Sequence, residues 1–389
     1  MKDQVYIVDG MRTALGSPCR GLKKFSVSQM AAFVLQELIR RNKIKKSFID
    51  EVILGNTVSA GTGQNLARQA LYLADFPMTI PAYVVNNVCG SGLQSVISAA
   101  RAILSHQADC LIAGGAESAT HTPNLVTKGE HPSLKNKHQM DSLICDGLWC
   151  LMTGKHMGEL CEDLAQQNGI LRFEQDQYSL KSHQKAYLAK LNGKFAKEIV
   201  PIQVTPRRVF EEDDRPRKDV TLEDLEGLPS AFRKNGTVTA GNCSAPCDGA
   251  AMALVCSKRF LEANRLTASA RLLSMVSFSG SPDKVFASGV PAIKEALERC
   301  SLTPDDIDIF EVSESFAAQA IYTRNKMKIP GFKMNVWGGD VALGHPLGAA
   351  GTRILVTLLH ILKDRNKKRG LCCVSFGGGG SVAMVIERG

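Results

Sequence analysis

No apolar stretch in this chain approaches the roughly 20 residues needed to cross a bilayer, so a helical membrane span is not expected. No Cys-x-x-Cys pair occurs either, although the chain has 12 cysteines. Their scattered positions lack the spacing of a zinc site, and no metal is expected. In a cytosolic chain such cysteines are reduced thiols. Basic residues gather at Arg207, Arg208, Arg215, Arg217, Lys218, Arg233 and Lys234, with no regular aromatic interleaving, only Phe210 and Phe232 lying among them. No nucleic-acid motif accompanies that charge, which argues against a nucleic-acid partner. No signal or transit segment precedes the first strand-like run, Gln4 to Val8, and the final Ile-Glu-Arg-Gly matches no peroxisomal or retention address. A cytoplasmic location is the expectation.

What is present is an ordinary globular composition, with 44% hydrophobic and 22% charged residues over 389 positions, enough for two or more packed units. Near the start, strand-like runs at Gln4–Val8, Glu51–Gly55 and Cys110–Gly115 alternate with helical patterns at Ser28–Arg41, Asn65–Ala74 and Leu93–Ser105. Near the end the plan recurs. Strands are expected at Arg271–Phe278, Ile307–Val312 and Leu371–Gly380, and helices at Pro291–Cys300, Phe316–Lys326 and Thr352–Lys363. Alternating elements of this kind predict an α/β fold with mainly parallel sheets covered by helices. Two copies of the pattern predict an internal duplication. The expected division is an N-terminal half of residues 1–118 plus 250–270, a loop-rich insertion at 119–249 and a C-terminal half at 271–389. The insertion carries helical patterns at Cys161–Asn168 and Phe173–Leu191 and much of the basic cluster. Such a cluster is either a solvated mixed-charge loop or a docking patch for a phosphorylated small molecule.

Two turns stand out. In Val-Val-Asn-Asn-Val-Cys-Gly-Ser-Gly-Leu-Gln-Ser, residues 84–95, an apolar run ends at Cys89 just before a helix. A lone cysteine is usually a packing residue. At a helix amino end, however, free N–H groups and the dipole favour negative charge, which makes Cys89 a candidate nucleophile. The matching turn in the second copy is Gly-Gly-Asp-Val-Ala-Leu-Gly-His-Pro-Leu-Gly-Ala-Ala-Gly, residues 338–351. A duplicated fold brings equivalent turns together at its pseudo-two-fold axis, so His345 should meet Cys89. A Cys–His pair is how a thiolate is generated for covalent acyl transfer.

These motifs resemble those of the thiolases, over nearly the whole chain and in the same order. Asn-Asn-Val-Cys-Gly-Ser-Gly is similar to the family's nucleophile turn, which implies that Cys89 carries the acyl group. Gly-His-Pro-Leu-Gly-Ala-Ala-Gly is similar to its histidine motif, which implies that His345 activates Cys89. The resemblance implies duplicated βαβαβαββ halves forming a five-layered α-β-α-β-α core. It implies acyl-CoA C-acyltransferase activity, cleaving or forming 3-ketoacyl-CoA. Coenzyme A thioesters would be substrates and no cofactor would be permanently bound. The segments ending at Ser244 and around Lys155–Gly158 resemble the coenzyme A region. They imply a binding site of His156, Met157, Arg217, Phe232 and Ser244, with Gln64 matching as well. The N–H groups of Cys89 and Gly377 would form an oxyanion hole, typically worth about 3 kcal/mol per donor. Homodimers or homotetramers and a role in fatty acid metabolism are also implied.

The chain departs from the family pattern at two positions of consequence. The family's second catalytic cysteine, which shuttles the α-proton, is replaced by Ser375, with Cys373 about 6.5 Å away along the strand. A hydroxyl is far less acidic than a thiol, whose reference pKa is near 8.5. Ser313 replaces the asparagine that holds a water in the family's other oxyanion hole; a serine can hold a water too, on a shorter arm. These departures keep an alternative open: a thiolase-like enzyme with altered chemistry, such as decarboxylative condensation, acyl transfer to another acceptor or thioester hydrolysis. A non-catalytic homologue that binds acyl-CoA is a third reading, against which the presence of both Cys89 and His345 argues.

Overall fold

A computed structural model describes residues 4–126 and 139–389; the start of the chain and part of the expected insertion, 127–138, lie outside the described residues. The first half runs β1 (Val5–Thr13), α1 (Val27–Asn42), β2 (Glu51–Gly55), α2 (Leu66–Leu73), β3 (Ala82–Val85), α3 (Ser91–Leu104) and β4 (Cys110–Glu117). Strands β1 and β4 are buried almost throughout, which is why they read as apolar runs rather than alternating ones. Helix α1 starts at a capping box: the Ser26 hydroxyl accepts the Gln29 N–H at 3.2 Å, and the Gln29 side chain accepts the Ser26 N–H at 2.9 Å. It buries Met30, Val34, Leu35 and Leu38 and ends at Lys43, in the left-handed region.

The two longest helices of the expected insertion, among the described residues, are α4 (Met157–Gln167) and α5 (Arg172–Leu191). Helix α4 begins four residues earlier than the apolar periodicity indicates. Its N-cap is His156, whose Nδ1 accepts the Gly158 N–H at 3.0 Å while the Glu159 carboxylate accepts the His156 N–H at 2.9 Å. Histidine is not among the usual cap residues, so the start is hard to read from sequence. Strand β5 (Gly249–Ser257) then returns to the first sheet, between β4 and β1.

The second half runs β6 (Ala270–Ser279), α6 (Gly289–Arg299), β7 (Ile309–Val312), α7 (Ala317–Lys326), α8 (Ala350–Asp364), β8 (Arg369–Phe376) and β9 (Gly380–Glu387). The expected single strand at Leu371–Gly380 is instead the first arm of a hairpin. Gly378 and Gly379 take φ of 97° and 96°, turning the chain back into β9.

The duplication is explicit in the sheet. The first half has the order β3-β2-β4-β5-β1, and the second has β7-β8-β9-β6. A parallel bridge from Phe310 to Met334 stands on β7 where β3 stands on β2. Strand senses agree as well: β2 with β4 and β7 with β8 are parallel, and the strands that follow are antiparallel. The half-sheets join through Tyr6–Arg271 and Ile7–Ala270, one short antiparallel ladder between β1 and β6. Helices α1 and α2 cover the first half-sheet, α6 covers the second, and α3 and α8 lie between the two. The layers are therefore α-β-α-β-α, as expected.

The central helices meet at glycines. A Cβ at Gly92 would stand 2.7 Å from the Thr352 hydroxyl, and one at Gly351 would stand 2.7 Å from Leu93 Cβ. Those contacts are closer than real Cβ atoms allow, so only glycine lets the amino ends of α3 and α8 approach this far. The turns that precede these helices are those of Cys89 and His345.

Candidate active site

Cys89 sits in a turn held in an uncommon conformation. Val88, the residue before it, has φ of 49°, in the left-handed region that a β-branched side chain rarely enters. Such a conformation costs about 1–3 kcal/mol and persists only where neighbours over-determine it. Here the Val88 N–H donates to Asn86 Oδ1 at 3.0 Å, and its carbonyl accepts the hydroxyls of Thr57 at 3.1 Å and Ser91 at 2.6 Å. The Asn87 N–H donates to the Ser91 hydroxyl at 2.8 Å. Helix α3 thus begins at Ser91, sooner than the expected Leu93, and Cys89 is half-buried at its amino end.

His345 comes from the second half and is buried. Its N–H donates to the Ala245 carbonyl at 2.9 Å, which fixes the turn against the segment holding Ser244. Nδ1–H donates to Asp340 Oδ2 at 3.2 Å. Among the described residues Nε2 has no hydrogen-bond partner of ordinary geometry, and the neighbour that acts on the ring most strongly is the Cys89 sulfur. Burial opposes a charged ring, but the neighbouring Cys89 sulfur and the Asp340 carboxylate outweigh it and push the imidazole up to about 10. Burial likewise opposes the Asp340 charge. Arg353 and His345 overcome it and hold that carboxyl well below the usual range.

The third wall is the β8–β9 hairpin. Ser375 is buried, with its hydroxyl 2.8 Å from that of Ser381, which is 2.7 Å from that of Ser288. The chain of hydroxyls ends where the Ser288 hydroxyl meets the carbonyls of Val285 at 2.5 Å and Gly380 at 3.0 Å. A Cβ at Gly289 would stand 3.6 Å from the Ser375 hydroxyl and 3.7 Å from Cys373 Sγ, so both side chains point to the same side of β8. Burial pushes the Cys373 thiol up to about 12. Gly377 faces the nucleophile turn: a Cβ there would stand 3.6 Å from Val88 Cγ1 and 4.0 Å from Met157 Sδ.

These walls enclose a cavity of about 330 Å³. Cys89, His345, Ser375, Gly377, His156, Met157, Phe232 and Ser244 all line it, brought together from both halves and the expected insertion. His156 stacks on Phe232 at 4.9 Å with 19° between the rings. Burial lowers its pKa, which favours the neutral ring. Phe316 meets Phe232 and Phe286 edge-on, making that wall apolar.

Three expected residues do not line the cavity. Ser313 is buried behind His345, and its hydroxyl donates to Asp340 Oδ2 at 2.6 Å rather than facing the cavity. Arg217 is exposed, with its N–H donating to His183 Nδ1 at 3.3 Å. Gln64 is exposed, its carbonyl accepting from the Gln69 side chain at 2.9 Å. Sequence reasoning missed Asp340, Arg353 and the apolar wall of Phe286 and Phe316. For Asp340 the available signal was a lone carboxylate beginning the otherwise uncharged run up to His345.

A half-buried cysteine beside a buried imidazole that is hydrogen-bonded to a carboxylate, on the wall of an apolar cavity, defines an enzyme site of the Cys–His acyl-transfer class. The sequence profile described as Thiolase, N-terminal domain matches residues 5–259, and that of Thiolase, C-terminal domain matches 266–388. The chain belongs to the thiolase family. It is 40% identical to an acetyl-CoA acetyltransferase of Cupriavidus necator over 99% of both chains. The crystal structure of the Bacillus anthracis acetyl-CoA acetyltransferase superposes with a TM-score of 0.96 at 35% identity, covering 100% of this chain and 99% of that one. A thiolase from Ascaris suum, crystallised with coenzyme A, gives a TM-score of 0.94 at 33% identity, covering 99% and 100%.

Proposed function

We propose that the protein is an acyl-CoA C-acyltransferase that cleaves or forms 3-ketoacyl-CoA through an acyl group carried on Cys89. The observation that supports this most directly is that Cys89 and His345, from different halves of the duplication, line one apolar cavity. His345 serves as proton carrier for Cys89, and the N–H groups of Cys89 and Gly377 receive the developing oxyanion. Ser375 occupies the place of the second acid–base group. Ser313 acts on the second oxyanion site through its neighbours.

Coenzyme A thioesters are the substrates, as the acetyltransferase names of the relatives and the coenzyme A complex of the Ascaris suum thiolase suggest. In this reading His156, Met157, Phe232 and Ser244 pack along the pantetheine arm. Arg217 meets the phosphates outside the cavity, where its exposed charge needs no desolvation. Gln64 is assigned to the same binding region, at its periphery. No permanent cofactor takes part. The division into two halves and an insertion is functional: the halves supply the nucleophile and the base, and the insertion supplies most of the coenzyme wall. Cytoplasmic fatty acid metabolism by a homodimer or homotetramer is the setting that fits this chemistry. Among the described residues, no helix is long and apolar enough to cross a membrane.

Incubation with acetoacetyl-CoA and coenzyme A tests the proposal. Loss of the enolate absorbance, with acetyl-CoA formed and an acetyl group on Cys89 by mass spectrometry, is the expected result. Folded protein that leaves acetoacetyl-CoA unchanged would overturn it.

A further inference from the structure

Behind His345 lies a carboxylate whose two oxygens are both engaged. Asp340 Oδ1 pairs with the Arg353 guanidinium. Oδ2 accepts the Ser313 hydroxyl at 2.6 Å, the Glu314 N–H at 3.0 Å and His345 Nδ1–H at 3.2 Å. Asp340 is 0% exposed and Arg353 1%. A buried ion pair of this kind does not stabilise a fold better than well-packed apolar residues would, so stability alone does not account for it.

We propose that Asp340 is the positioning residue of His345, completing a Cys89–His345–Asp340 relay in which Arg353 and Ser313 lock the carboxylate in place. This rests on the acyl-transfer reading of the site. An acceptor fixed at Nδ1 keeps the proton there and leaves Nε2 as the nitrogen that serves Cys89. A flipped ring would set a C–H group against a buried carboxylate. Arg353 keeps Asp340 ionised, since a lone buried carboxyl would take up a proton instead.

The acylation step then balances. Cys89 Sγ, as thiolate, bonds to the thioester carbon while the bond from that carbon to the coenzyme A sulfur breaks. The proton on Nε2 moves to the leaving sulfur. His345 is left neutral, with Nδ1–H still on Asp340, and takes a proton from the incoming thiol when the acyl group departs. The residue at position 313 acts on this cycle through Asp340, because its hydroxyl is committed there.

Several groups set the charge on His345. Cys89 faces it from the start of α3, and Asp340 from its own turn. Arg215 and Cys247 pack against Gly344 beside it. Arg353 of α8 and Glu314 act through Asp340. The thiolate and carboxylate favour the imidazolium; the Arg215 charge opposes it.

The test uses the full chain. Asp340→Asn leaves Arg353 buried without a partner, so Asp340→Asn/Arg353→Met, which removes both charges, is made beside it. Alkylation of Cys89 by iodoacetamide is followed between pH 6.5 and 8.5, and acetylation by acetyl-CoA in single turnovers. The wild-type alkylation profile across that window, with His345 held by Asp340, is the reference. In the variants alkylation should rise about tenfold or more across the window, and acetylation should slow by about 10²–10⁴ with KM nearly unchanged. Folded variants with the wild-type pH profile and acetylation rate would overturn the proposal. A wild type that never acetylates would instead count against the acyl-transfer reading. Nitrogen-15 spectra of the wild type, with the His345 signals assigned through His345→Gln, decide independently of folding in the variants: Nδ1 should be protonated at pH 7.5, and an unprotonated Nδ1 would overturn the proposal.

Discussion

Ser375 and Ser381 face each other across the β8–β9 hairpin as register partners, with their hydroxyls 2.8 Å apart. Through Ser288 that contact ends at backbone carbonyls. The hydroxyls themselves hold no group that ionises near neutral pH, so the position that should move an α-proton hands it to no strong base. A thiol there would be acid and base in one atom. Ser375→Cys should therefore raise acetoacetyl-CoA cleavage by about tenfold or more, within the usual range for a positioned acid–base group. Acetylation of Cys89 should be nearly unchanged. Steady-state cleavage and single-turnover acetylation, measured side by side, separate the two steps.

Cys89→Ala and His345→Ala should fail in different ways. Loss of Cys89 removes the covalent intermediate, and mass spectrometry after incubation with acetyl-CoA should find no acetyl adduct. Loss of His345 should leave an adduct that forms more slowly, by about 10²–10⁴. An adduct in Cys89→Ala would place the nucleophile elsewhere.

The charge on His345 also carries a pH signature in stability. In the folded protein the imidazole pKa is pushed up to about 10, above the ordinary histidine value of about 6.5. A raised histidine pKa means the folded state holds the proton more tightly. The contribution is complete below about pH 6.5 and is lost as pH climbs through about 10. Urea midpoints of wild type and His345→Gln should therefore differ most at pH 6.5 and converge toward pH 10. A gap that widened with pH would contradict the Asp340 and Cys89 interactions.

Gly351→Ala tests the approach of the central helices. The added methyl would meet Leu93 Cβ at 2.7 Å and its N at 2.8 Å, so α3 and α8 must part. Overpacking of this kind typically costs about 1–3 kcal/mol, read as a lower urea midpoint. Because the same helices set the Cys89–His345 separation, acetylation should slow by more than the stability loss explains.

The duplicated α/β plan was legible because each half repeats apolar runs and helical periodicity in one order. Cys89 and His345 were legible because each stands in a glycine-flanked turn at an equivalent place in the repeat. Asp340 was not, since nothing local tells a buried carboxylate from a helix-capping one. Its role depends on Arg353 and Ser313, which lie 13 and 27 residues away in sequence. The second arm of the last hairpin was hidden for a different reason. Four consecutive glycines, Gly377 to Gly380, read as a strand fading into a loop, whereas two of them are the reversal itself. The early start of α4 escaped notice because a histidine does the work of a cap.

The ladder of Tyr6–Arg271 and Ile7–Ala270 makes one sheet of two copies, and this has a consequence for symmetry. Two identical chains paired about the same axis would present matching residues at the paired turns: two thiols with no base, or two imidazoles with no nucleophile. Joining the copies in one polypeptide releases the turns from that identity. The backbone keeps its two-fold relation while the side chains on the axis part company, one becoming the donor of electrons and the other the carrier of the proton.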